Sequence, residues 1–433
     1  MDPSESAEMK SADRRPKKSE VVKAFECLPL DLPKSKPVLS VGLLLLLGWA
    51  GADETESNND FAINSANFCI EMLKSQAKLN EGNVVMSPFS VGTMLAILQV
   101  GARENTLKQL DEALGMPVEV SSKGHSLEIR SLMGEKKDVT LEWGNRLYIR
   151  PGFEVTENFN KTITEVFGSS FEELNFVEPS PQEAADKING WVKEVTHDNI
   201  KDLVTPSLLN SDTVLVLLNA IYFKGLWDVP FKKSLTQPDK FELTAENSAE
   251  VPFMAQKERF LAGEDPESGI MWVDLPFKDA KYSMLFMLPT ERHGLNKALE
   301  GMTGNLLQNI IKDEQTRQVT MRIPKFKLTQ KSLLAGALKE LNVTDIFSAA
   351  ANLSGISTQY NNLRVTKMIH QASVEIDEDG STASAATGVF LEVLSFPKSS
   401  DHLEFKADHP FLFFILDRAN GIPLFAGKVA DPS

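Results

Sequence analysis

Few groups in this chain are spaced to do chemistry in concert. Its six histidines are His125, His197, His293, His370, His402 and His409. No two of them stand at metal-pair spacing, and the H-E-x-x-H pattern of zinc hydrolases does not occur. There is no G-x-S-x-G elbow to present a serine nucleophile, no Walker loop and no G-x-G-x-x-G turn. Serine, histidine and aspartate are plentiful, but nothing in their linear order assembles a triad. Cys27 and Cys69 are the only thiols, too few for a disulfide framework or a metal set. Cys69 shares an apolar helical stripe with Phe61, Phe68 and Met72, which predicts a buried, unreactive thiol. Asn219 is the one strongly polar residue between Val214 and Phe223. Leaving its amide unpaired in a core would cost about 1–3 kcal/mol, so it must belong to a small buried polar network.

A mechanical stretch stands out where chemical motifs do not. Residues 378–399 read EDGSTASAATGVFLEVLSFPKS. Alternate side chains of a strand point to opposite faces. One face would carry Ser381, Ala383, Ala385, Thr387, Val389, Leu391 and Val393, all small or apolar. The other would carry Thr382, Ser384, Ala386, Gly388, Phe390, Glu392 and Leu394, and so takes the sole charge. Yet the first half is Ala, Ser, Thr and Gly, which pack little surface. Acidic residues (Glu375, Asp377, Glu378, Asp379) precede the 381–394 segment and a polar turn from Pro397 to Asp401 follows it. Two states suit such a segment: a loop in solvent, or a strand within a sheet. A plain Ala/Ser linker is the competing reading.

The rest of the chain supplies the frame. It has 433 residues, 42% hydrophobic and 24% charged, as in an ordinary globular protein. A net charge of −15 argues against nucleic acid as a partner. Residues 38–49 form a short apolar core, preceded by Lys34 and Lys36 and followed by Ala50-Gly51-Ala52. That is the layout of a secretory signal cleaved after Ala52, behind an unusual polar leader. Three sequons, at Asn160, Asn342 and Asn352, suit export. Helical spacing covers 60–78, and Asn83 to Met86 reads as a short buried strand before a Ser87-Pro88 helix start. Strands are expected over 139–150, with Asn145 inward, over 214–223, buried on both faces, and over 283–289 and 318–328. A capping box opens a helix at Ser180, a helix is expected over 330–341, and a hairpin turns at Asn420-Gly421. The outcome is an α+β body with at least one large sheet.

Over residues 60–432 the chain resembles the serpins, the serine protease inhibitor family. The fragments that carry the likeness are NVVMSPFSV, GAREN-T, INGWVKEVT, LLNAIYFKGLWDVPF, VDLPF, ANLSGIS, EDGSTASAATG, HPFLFFI and LFAGKV-x-DP, in this order. The resemblance implies one serpin domain over 53–433: a large central sheet with further sheets, about nine helices, and an exposed reactive loop at about 378–400. It implies a metastable, monomeric, extracellular inhibitor, not an enzyme, with no cofactor and no membrane contact after signal removal. Its partner would be a serine protease held as a covalent acyl complex. Counting from Gly380 puts the scissile bond at Leu394–Ser395, which suits chymotrypsin-, elastase- or cathepsin-G-like targets; Lys398–Ser399 is the trypsin-like alternative.

Within that resemblance the hinge is Glu378, Gly380, Ser381, Thr382, Ala383, Ser384, Ala385, Ala386 and Thr387. Ser87, Ser90, Asn219 and His370 match a cluster beneath the point where the sheet opens. Lys325, Glu378 and Trp227 match the top of the sheet. A carrier or chaperone that has lost inhibition is the other family reading, and the small hinge residues favour inhibition. The chain departs from the family pattern at Glu104 and Asp198, usually glycine, at Thr382, Ser384 and Gln371, and at Asn352, usually Asp.

Overall fold

The structure is a computed structural model that describes residues 54–133, 138–278, 280–357, 363–380 and 401–433. Nine helices occur among these residues: α1 Glu54–Leu79, α2 Pro88–Gly101, α3 Glu104–Leu114, α4 Val118–Leu132, α5 Glu157–Phe167, α6 Pro181–Val195, α7 Leu295–Gly301, α8 Gly304–Ile311 and α9 Ala335–Glu340. The strands are β1 Val84–Met86, β2 Val139–Ile149, β3 Ser170–Glu173, β4 Leu215–Gly225, β5 Gln237–Glu242, β6 Ser248–Asp265, β7 Ile270–Pro276, β8 Tyr282–Pro289, β9 Thr316–Pro324, β10 Phe326–Leu333, β11 Val365–Ile376, β12 His402–Lys406, β13 Phe411–Asp417 and β14 Ile422–Val429. The proposed leader and signal (1–52), and Ser381 to Ser400 of the loop, lie outside the described residues.

Two sheets organise the body. One has five strands in the order β10-β11-β4-β2-β3; the other has nine, in the order β1-β14-β13-β8-β7-β6-β9-β12, with β5 paired to β6. The run around Pro324 feeds both sheets. Lys325 separates β9, in the larger sheet, from β10, in the smaller.

β4 shows why its sequence is nearly all apolar. Leu215, Leu217, Ile221 and Phe223 face the main core, while Val216, Leu218 and Ala220 pack under α6 with Ala184, Ile188 and Val192. Both faces are therefore dry, and no polar alternation survives. α6 starts where the sequence predicts: the Ser180 hydroxyl accepts the Glu183 N–H at 3.2 Å. The hairpin at Asn420-Gly421 also forms, with Gly421 at φ +66°. It is looser than a two-residue turn, because Asp417 pairs with Ile422 across four intervening residues.

One expectation fails. Gln330 to Leu333 are strand, and helix α9 begins only at Ala335. Gln330 to Leu333 pair with Ala372 to Ile369 on β11, and the Gln330 side chain accepts the Val85 N–H at 2.7 Å. Sheet pairing overrides a sequence of helix formers.

Candidate functional site at the seam of the five-stranded sheet

β4 and β11 lie side by side and parallel, from Val365↔Leu215 at the foot to Val374↔Phe223 at the top. Each has an antiparallel neighbour on its other side: β2 for β4 and β10 for β11. The β4–β11 seam is thus a parallel ladder at the centre of the sheet.

Midway up the seam, His370 stands opposite Asn219. The His370 Nδ1–H donates to Asn219 Oδ1 (2.6 Å), and Nε2 accepts the Ser87 backbone N–H (2.9 Å). An amide N–H can only donate, so Nε2 must carry a lone pair and the proton sits on Nδ1. Asn219 Nδ2 donates to Asn145 Oδ1 at 2.7 Å. The Ser87 hydroxyl donates to the Leu424 carbonyl at 2.6 Å and accepts the Ser90 N–H at 3.2 Å, which caps α2. The cluster therefore ties α2 and β14 to both strands of the seam. Burial holds the His370 imidazole down to about 3, so it is neutral across the physiological range. Ser90 joins through its backbone alone; among the described residues its hydroxyl has no hydrogen-bond partner.

The top of the seam is closed by a second set. Lys325 Nζ donates to Glu378 Oε2 (2.7 Å) and the Thr236 hydroxyl to Glu378 Oε1 (2.8 Å). Burial raises the Glu378 carboxyl, but these two hydrogen bonds and the lysine charge outweigh it, and the group ends below its ordinary value. The Glu378 carbonyl accepts the Phe231 N–H, and the Asp379 carbonyl accepts the Trp227 N–H at 3.2 Å. Trp227 is buried and stacked on Phe277 with centroids 4.6 Å apart, and its indole N–H donates to the Asp377 carbonyl at 2.9 Å. Gly380 has φ +83° and lies so close to Leu226 that a Cβ there would come within 2.7 Å of its Cα. Only glycine fits.

The other singled-out residues are dispersed. Asn160 and Asn342 are exposed and Asn352 is half-buried. Glu104 and Asp198 both adopt the left-handed conformation, at φ +53° and +65°. Asn352 Nδ2 donates to Glu104 Oε2 at 3.1 Å, so two of the departures touch. Ser381 to Thr387, Leu394 and Ser395 lie outside the described residues. Sequence reading did not single out Thr236, or Asn145 as the partner of Asn219. The inward polar position of Asn145 on β2 was the available signal, and only the β2–β4 register makes it a pair.

Comparison with known proteins bears on this arrangement. The family model described as Serpin (serine protease inhibitor) matches residues 63–432. The chain belongs to the serpin family. It is 34% identical over 371 residues to Iris of Ixodes ricinus, covering 84% of this chain and 97% of that one. It is 32% identical over 373 residues to the leukocyte elastase inhibitor of Bos taurus, again with 84% and 97% covered. The crystal structure of Manduca sexta serpin-12 superposes with a TM-score of 0.77 at 29% identity, covering 85% of this serpin and 98% of that chain. The serpin fold expected from the sequence is the fold observed, with its two sheets and nine helices among the described residues.

Proposed function

We propose that this serpin inhibits a serine protease as a suicide substrate. A chymotrypsin-, elastase- or cathepsin-G-like enzyme attacks the Leu394–Ser395 bond and forms an acyl-enzyme at Leu394. The freed arm, Ser381 onward, then enters between β4 and β11 and carries the protease to the foot of the sheet before deacylation. The apolar segment at 38–49 and the sequons at Asn160, Asn342 and Asn352 support secretion as a glycoprotein.

One observation carries the reading: the strands that would admit the arm are paired in parallel, and Gly380 sits at the mouth between them. An arm folding back from β11 runs antiparallel to both neighbours. It exchanges one parallel ladder for two antiparallel ones, the slightly stronger kind. A net gain of some ten backbone bonds at about 0.5–1.5 kcal/mol each comes to roughly 5–15 kcal/mol. That matches the whole stability of a typical domain. A kinetic barrier must therefore hold the uncleaved form, and besides the ladder the His370–Asn219 bond and the bonds from Thr236, Trp227 and Phe231 to residues 377–379 span the seam. Incubation with chymotrypsin tests this: an SDS-stable complex at the summed mass is expected. Cleavage at Leu394 with no complex at any ratio of protease would leave only a substrate on the serpin fold.

A further inference from the structure

The foot of the seam ends in a cleft of about 410 Å³ that holds two guanidiniums, Arg150 and Arg364. Arg150 follows β2, and its backbone N–H donates to the Val214 carbonyl at 2.9 Å. Its Nη1 donates to the Ser211 carbonyl at 2.7 Å, and its guanidinium lies 5.9 Å from the Phe153 ring centre. Arg364 immediately precedes Val365, the last rung of β11 at the foot. Asp212 is the carboxylate in the cleft wall. Among the described residues, neither arginine forms an ion pair. Both line the place where β4 and β11 would part.

The position of Gly380 sets the register of an arm entering the seam. Gly380 lies over Leu226, between the Gly225 carbonyl and the Trp227 N–H, and the Asp379 carbonyl accepts that N–H at 3.2 Å, so 379 stands opposite 227 and 380 opposite 226. Each step forward along an antiparallel arm is one step back along β4. Ala383 then falls opposite Phe223, Ala385 opposite Ile221, Thr387 opposite Asn219 and Leu391 opposite Leu215. Phe223, Ile221 and Leu215 face the main core, and directly opposed residues share a face. The small and apolar face of the arm thus turns inward. That agreement is independent, because the faces come from sequence alternation and the register from Gly380. A slip of one residue would send Glu392 inward.

In this register Glu392, the only charge between Ser381 and Leu394, reaches Val214 at the foot. We propose that the cleft of Arg150 and Arg364 is the seat for the Glu392 carboxylate of the inserted arm, an electrostatic latch that forms only when insertion is complete. The inference rests on the insertion reading above. Charge complementarity and the length of the arm both favour it. The carboxylate that hydrolysis creates at Leu394 is a poorer occupant, since Leu394 falls opposite Asp212, a like charge. In the acyl complex that carboxylate does not exist, whereas Glu392 is present throughout.

The test uses the uncleaved full chain and synthetic arms. Two acetylated, C-terminally amidated peptides of residues 381–394, one native and one with Glu392→Gln, compete for incorporation, read by mass spectrometry of the native complex. At low salt the wild-type protein should take up the native peptide about fivefold in excess. The preference should fall toward parity in about 1 M NaCl, and in Arg364→Gln and Arg150→Gln proteins. Equal uptake by the wild-type protein, or a preference untouched by both arginine substitutions, overturns the latch. So does a Glu392→Gln peptide with a free terminal carboxylate that competes as well as the native one, because the chain end would then be the occupant. If no peptide is incorporated and the protein melts no later, the insertion reading itself fails, and the latch with it.

Discussion

The imidazole Nε2 of His370 accepts the backbone N–H of Ser87 at 2.9 Å, which ties β11 to the start of α2. The acceptor role requires a neutral ring. Protonating Nε2 would set one N–H against another inside the core.

The first prediction is acid lability from this bond. Burial lowers His370 from 6.5 to about 3 and His125 from 6.5 to about 4. Below pH 6.5 the unfolded chain binds protons that these two native imidazoles exclude, so their contribution is fully present above 6.5 and falls as pH drops, while Glu128, pushed up to about 8 by burial and by Asp417, contributes with the opposite sign between 8 and 4.5. Thermal unfolding of wild type and His370→Ala, followed from pH 7.5 downward, should show the histidine loss as a shrinking difference between the two. His370→Ala should cost about 2–4 kcal/mol at neutral pH, because the Ser87 N–H and Asn219 Oδ1 lose their partner. It should also flatten part of the acid slope; a slope unchanged in the variant would contradict the assignment.

The second prediction concerns the tie at the top. Lys325 is about one-third exposed, so its pair with Glu378 is worth less than a fully buried one. Lys325→Ala should destabilise the uncleaved form by about 1–2 kcal/mol and hasten uptake of an arm peptide. The Glu378 carboxyl lies below its ordinary 4.5. Its contribution is therefore present above that value and lost as pH falls through the lower folded one. Wild type and variant should converge in stability as pH falls below 4.5 and through the lower folded value.

A third test addresses the Glu104–Asn352 contact. Glu104 occupies φ +53°, where a non-glycine residue costs roughly 1–2 kcal/mol. Glu104→Gly should raise the melting temperature despite the lost hydrogen bond. Asn352→Asp should destabilise by about 0.5–1 kcal/mol beside Glu104 and have no effect in the Glu104→Gly background. Additive effects in the double variant would rule out coupling.

The arm itself gives the fourth. In the register proposed for the inserted arm, Ala383 would meet Phe223, which is in the core, and Thr382 would meet Lys224, which is partly exposed. Burying a lone carboxylate costs several kcal/mol. Ala383→Glu should convert the inhibitor into a substrate, with cleavage replacing complex on SDS gels. Thr382→Glu should leave the yield of complex unchanged.

Much of this architecture was legible in sequence because local signals agreed with the global fold. Ser87-Pro88 announced α2, the unbroken apolar run announced a doubly covered β4, and the isolated amide of Asn219 announced a buried polar network. What stayed hidden depended on register and on distance along the chain. Nothing local reveals that Asn145 faces Asn219 across 74 residues, or that Thr236 reaches Glu378 across 142. The strand at Gln330 to Leu333 was misread because its edge pairing with β11 outweighs its helical composition. The reactive bond rests on family resemblance and on counting, since nothing in the types of Leu394 and Ser395 marks a cleavage site.

The melting temperature before and after one cut in the loop tests the central claim most directly. Insertion of the severed arm should raise it by ~10 °C or more, from the free energy of a new strand. A cut protein that melts at the same temperature as the intact one, or lower, would contradict the account.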